Sequence, residues 1–222
     1  METKQFSEID NKIRGELMEY ATEKYGRTFE EVFYETAVDA THSYTRCLKD
    51  SRGRIFNVYQ GGESGRRTDD YENCIVDYKV KEYLSELIGE DMGSGSIGVM
   101  AVMNITEEID ALENMSAEEC IRRFGLYSLI FVYHMEGERG TIAENRNAVL
   151  EIYKKLSTLD TSTIDFNVVV TSGDPSRVAG VLENMRLKYS GSWYSYETVA
   201  EYISRVNPGL TPVYDVESMV EE

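Results

Sequence analysis

Apolar positions near the start of the chain recur at helical spacing. Phe6, Ile9, Ile13, Leu17 and Tyr20 step by three and four, which predicts a helix to about Tyr25 with Gly26 as its stop. The period then shortens. Val32, Tyr34 and Val38 alternate, Tyr44 and Leu48 resume the pattern after a break near Thr41, and Ile55 to Tyr59 forms a third run. Ser51-Arg52-Gly53 reads as the turn between the last two runs. Asp69 or Asp70 then opens a helix whose apolar stripe is Ile75, Val76, Val80, Tyr83, Leu84, Leu87 and Ile88. The result is an α-β-β-β-α layer with an antiparallel sheet.

Gly89 to Gly98, rich in glycine and serine, reads as a linker. Beyond it strands and helices alternate. Ile97 to Met103 is a strand, and Ser116 to Glu119 is a capping box opening a short helix through Phe124. Leu126 to His134 is the next strand, and Thr141 to Glu144 is a second capping box, opening a helix through Ile152, Leu156 and Leu159. Phe166 to Thr171 is a third strand. Asp174-Pro175 caps a helix carrying Val178, Val181, Leu182 and Met185, and Glu197 to Val206 forms a last helix before Asn207-Pro208-Gly209. This half reads β-α-β-α-β-α-α. The fold class expected is therefore α+β, with one domain over 1–91, a second over 97–212 and a frayed tail over 213–222.

KYGRTFEEV at Lys24–Val32 and DDYENCIVDYKVKEYL at Asp69–Leu84 follow a leading helix and precede the β-α-β-α-β half. In that order, with the K-Y-G-x-x-F turn and the D-x-Y helix start, the chain resembles a group of uncharacterised two-part α+β proteins of gut-type Gram-positive bacteria. Many of that group are exported or lipid-anchored. The resemblance implies an architecture and supplies no catalytic residue.

Composition narrows the function classes. Lys plus Arg total 23 against 40 Asp plus Glu, a formal charge of -17, and the acidity is spread over both halves. Nucleic acid is not an expected partner for such a field, whereas a basic protein is. Cys47, Cys74 and Cys120 make neither a disulfide framework nor a C-x-x-C pair, so a reducing compartment fits. The N-terminus lacks an apolar signal region, and no segment approaches the ~20 apolar residues of a membrane span. A cytoplasmic location is expected, with export only if a leader has been removed.

Candidate chemistry is sparse. VYQGGESGRRTDDYE at Val58–Glu72 has the outline of a phosphate loop, but Arg66 and Arg67 stand where such a loop needs lysine and a hydroxyl, and Thr68 arrives one residue late. Thr171 to Arg177 places a glycine turn between a strand and a helix start, where anions bind, although Asp174 puts a negative charge at the cap. Arg66, Arg67, Thr68, Ser172, Gly173 and Arg177 are thus the candidate small-ligand residues. Arg46, Lys49, Arg52, Arg54, Arg66 and Arg67 make residues 46–67 locally basic, fit either for an anion or for the protein's own acids. His42 and His134 lack metal-ligand spacing, and no G-x-S-x-G elbow exists, so neither a metal, a cofactor nor a catalytic residue is expected.

Sixteen tyrosines and one tryptophan include KYSGSWYSYE at Lys188–Glu197. Aromatics beside serine and glycine are the chemistry of recognition surfaces, and equally of a core edge. The leading expectation is a non-enzymatic, protein-binding module of immunity or inhibitor type, with Trp193, Tyr194 and Tyr196 as anchors for a basic partner. The alternative is an enzyme or small-ligand sensor with a pocket between the two halves.

Overall fold

The computed structural model describes residues 2–32, 42–61, 65–89, 96–101, 105–124, 127–134, 150–152, 154–156, 158–159, 164–172, 178–189 and 211–215. The fold is α+β. Helix α1 (Glu2–Tyr25) buries Ile13, Leu17 and Ala21 along one face and ends at Gly26. Gly26 takes φ 62° and donates its N–H to Thr22 O at 2.8 Å, a left-handed stop that glycine adopts without steric penalty.

Strands β1 (Glu30–Val32), β2 (His42–Lys49), β3 (Ile55–Gly61) and β4 (Arg67–Asp69) form one antiparallel sheet in that order. The β2–β3 turn lies where Ser51-Arg52-Gly53 predicts it. Asp50 Oδ1 accepts the N–H of Arg52 at 2.9 Å and of Arg54 at 3.0 Å, while Gly53 takes φ 82°. Phe56 and Val58 of β3 are fully buried, and so is Asn57, whose side chain alternates to the opposite face. This sheet is therefore covered on both sides at β3.

Helix α2 (Tyr71–Ile88) packs against this sheet. Its sequence predicts an apolar stripe, yet Tyr71, Asn73, Cys74, Ile75, Val76, Asp77, Val80, Leu84 and Ile88 are all buried, more than one face can hold. The helix packs on β3 and also on β5 (Ser96–Ala101), α3 (Ile109–Asn114) and α4 (Ala117–Phe124). Strand β5 begins a second sheet, ordered β5, β6 (Tyr127–His134), β7 (Ile164–Ser172), β8 (Thr211–Asp215). The β6–β7 pair is parallel and its neighbours are antiparallel. A parallel pair needs a long crossover. Helical residues at 150–152 and 154–156 lie within it, and Ile152 and Leu156 reach the same apolar core as Leu17, Leu84 and Ile97. Helix α5 (Val178–Tyr189) lies on β5, where Gly98 permits close approach: a Cβ there would meet Leu182 Cδ2 at 3.2 Å.

Three differences from the sequence reading have physical causes. Strand β4 is a three-residue strand where a loop was expected, because Val58, Tyr59 and Gln60 offer it a ladder. Strand β8 takes residues 213–215 out of the expected frayed tail. Its Pro212 is tolerated because β8 lies at a sheet edge and the register shifts beside it. Asp70 stands at the cap of α2 but makes no side-chain cap bond; Asp69 Oδ1 accepts Tyr71 N instead, at 3.1 Å. The Ser116 cap does form, with Glu119 N donating to Ser116 Oγ at 3.1 Å. The second capping box at Thr141 and the helix from Glu197 to Val206 lie outside the described residues.

Candidate binding cleft at the end of the first helix

Polar side chains of α1, β4 and α2 meet where α1 ends. Asp69 closes β4 at the foot of α2, and its side chain is fully screened from solvent. It accepts hydrogen bonds from Tyr20 Oη at 3.0 Å, from Lys24 Nζ at 2.9 Å and from Tyr25 Oη. In the first turn of α2, Glu72 Oε2 lies 2.7 Å from the same Tyr25 hydroxyl, whose one proton the two carboxylates share, and Glu72 pairs with Lys24 at 3.2 Å. Beneath this cluster, Tyr25 and Tyr71 stack edge to face at 4.8 Å, and Phe29 meets Phe56 at 5.0 Å and Tyr71 at 5.3 Å. The two short motifs noted in the sequence supply Lys24, Tyr25, Phe29, Asp69 and Tyr71 of this group, while Tyr20, Phe56 and Glu72 lie outside them.

The facing wall is the segment leading into α3, held by two anchors. Ile105 N donates to Asn73 Oδ1 at 2.9 Å. The Lys79 ammonium donates to Leu112 O at 2.6 Å, Glu113 O at 3.1 Å and Met115 O at 2.7 Å, satisfying carbonyls at the end of α3. Between the walls opens a cleft of about 340 Å³, lined by Lys24, Tyr25, Arg27, Glu72 and residues 106–110. Its ionisable lining holds two cations, Lys24 and Arg27, against four carboxylates, Glu72, Glu107, Glu108 and Asp110. The cleft is acidic on balance.

Titration behaviour is set by burial and by these charges. Burial pushes Tyr25 far above its ordinary value, and the Asp69 carboxylate pushes it the same way. Tyr20 is raised for the same reasons. Burial alone would lower Lys24, but the hydrogen bond and charge of Asp69 outweigh it and leave Lys24 raised. Beyond the cleft, Glu113 collects Arg54 at 2.6 Å, Arg52 at 2.7 Å and Arg27 at 3.4 Å. Burial works against its charge, yet the Arg54 hydrogen bond holds it below the usual carboxylate range.

Those of the residues singled out in the sequence that the structure describes fall elsewhere. Arg66 is exposed, and its carbonyl accepts Gly61 N at 2.9 Å across the β3–β4 turn. Arg67 pairs with Glu16 of α1 at 2.5 Å, and Thr68 sits opposite Tyr59 in the ladder. The glycine-rich stretch thus lies between two strands, β3 and β4, that pair antiparallel. The other local cations meet the protein's own acids: Arg46 with Glu31 at 3.5 Å, Lys49 with Glu30 at 2.8 Å, Arg54 with Asp50 at 2.7 Å. Ser172 ends β7 on the other sheet, paired with Thr211. Gly173, Arg177, Trp193, Tyr194 and Tyr196 lie outside the described residues. All three cysteines are free and buried, and burial raises each thiol, Cys47 to about 12. Among the described residues no group of three or more His, Cys, Asp or Glu side chains is placed to hold a metal ion, and no helix is long and apolar enough to cross a membrane.

Sequence reasoning passed over the cleft because its parts are distant in the chain. Lys24 and Asp69 are 45 residues apart, and Arg27 and Asp110 are 83 apart.

No family model matches this chain, and no curated protein matches its sequence. Among solved structures it is similar to a crystal structure of a DUF5037 family protein from Ruminococcus gnavus ATCC 29149. The identity is 13%, the match covers 82% of this chain and 84% of that one, and the TM-score is 0.42. At that score the likeness carries no argument about fold or activity.

Proposed function

We propose that this chain is a non-enzymatic binding protein whose acidic cleft beside Tyr25 receives a basic partner protein. One observation carries the reading: the displaced titrations in the cleft cluster all run away from neutrality. Tyr20, Tyr25 and Lys24 are each raised from values already far above it. General acid–base catalysis calls for a group that exchanges a proton near the working pH. These groups instead hold fixed protonation states there, as a charge-complementary binding surface does. The buried, raised thiols supply no thiolate nucleophile.

The formal charge of -17 supports steering of a basic partner towards the acidic rim. An immunity or inhibitor role, neutralising a basic toxin or nuclease, follows from the same complementarity, with Trp193, Tyr194 and Tyr196 as proposed aromatic anchors and the cytoplasm as the proposed location. A second reading, a small-ligand sensor, is supported by the cleft volume of about 340 Å³, which lies within the range of small-molecule sites. Calorimetric titration with cytochrome c, as a basic model protein, and with free arginine separates the two. Binding of the basic protein that weakens from 50 to 200 mM salt supports the leading reading. Tight, salt-insensitive binding of the small cation alone supports the second. Binding of neither removes both.

A further inference from the structure

We draw no further inference here: the strongest candidate, the acidic wall of the cleft at Glu107, Glu108 and Asp110, belongs to the site already described, and the cations set against it, Arg27 and Arg123, are the chain's own.

Discussion

The cleft at the end of α1 and the seam between α5 and β3 are built from the same side-chain types, carboxylates, tyrosines and a cation, and differ in access to water. In the seam, Arg186 is 4% exposed, pairs with Glu183 at 2.9 Å and lies 3.8 Å from Asp77, which is 1% exposed. It also donates to Ile55 O, while Asn57 Nδ2 donates to Leu187 O at 2.7 Å and Tyr78 Oη donates to Glu183 at 2.7 Å. Asp70 completes the layer, accepting Asn57 N at 2.6 Å. In the cleft, Lys24 is 37% exposed and Asp110 lies almost wholly in solvent. Buried charge that is paired specifies where elements sit, because removing one partner is costly. Charge at a wet rim contributes little to stability and stays available for a partner. The seam orders the fold, and the cleft presents it.

The sharpest way to break that contrast is to remove the second half. The sequence places a boundary near residue 91, and a chain of residues 1–91 would keep α1, the first sheet and α2 while stripping β5, α3, α4 and α5 from α2. Each fully buried aliphatic side chain it exposes forfeits about 1.5–3 kcal/mol, against a total domain stability of about 5–15 kcal/mol. The expected outcome is a far-ultraviolet circular dichroism signal with no cooperative urea transition. A sharp transition would instead establish the first half as an independent unit and reduce the seam to an interdomain contact.

Next in size is the seam cation. Arg186→Met keeps the bulk and leaves Glu183 and Asp77 buried without their cation, an expected loss of about 3–5 kcal/mol in urea unfolding. A loss below about 1 kcal/mol would mean that water enters the seam, and the contrast with the cleft would fail. Smaller again is Gly98→Ala, whose Cβ meets Leu182 3.2 Å away and pushes α5 from β5. Overpacking of that kind costs about 1–3 kcal/mol. A variant as stable as the parent would show that Leu182 changes rotamer freely, leaving α5 fastened by its polar bonds alone.

Regular elements were legible wherever the local signal is strong: the spacing of Ile13 and Leu17, the turn at Gly53, the cap at Ser116. Strands β4 and β8 were not, since Arg67-Thr68-Asp69 has no apolar run and Pro212 argues against a strand. The burial of α2 on more than one face was hidden too, because Asn73 and Asp77 interrupt its stripe and are buried only through partners far along the chain. The candidate site was legible in fragments. Lys24-Tyr25-Gly26 and Asp69-Asp70-Tyr71 stood out as short motifs, but only the fold brings Tyr25 Oη to Asp69 and Glu72. The arginines of residues 46–67 drew notice as a basic run, and their meaning lay in acids that the sequence places elsewhere, Glu16, Glu30, Glu31 and Glu113.

The smallest expected effect is a change of slope with pH. Burial alone would raise Asp50 and Glu113, but Arg54 outweighs it and holds both below their ordinary values. An acid with a lower pKa in the folded state binds fewer protons there than when unfolded. Its contribution is therefore complete above the unfolded values of about 4 and is lost as pH falls through the folded ones. Asp70 runs the other way. Burial raises it, against the Arg186 charge and the Asn57 bonds, so the folded state holds its proton more tightly and its contribution falls as pH rises. Urea unfolding at pH 3, 4, 5 and 6 reads both signs. Glu113→Gln is expected to flatten the acid branch relative to the parent, and Asp70→Asn to steepen it, whatever each does to stability at neutral pH. Equal slopes in all three proteins would mean that neither carboxyl differs between folded and unfolded states, and that solvent reaches Asp70 as freely as it reaches Asp110.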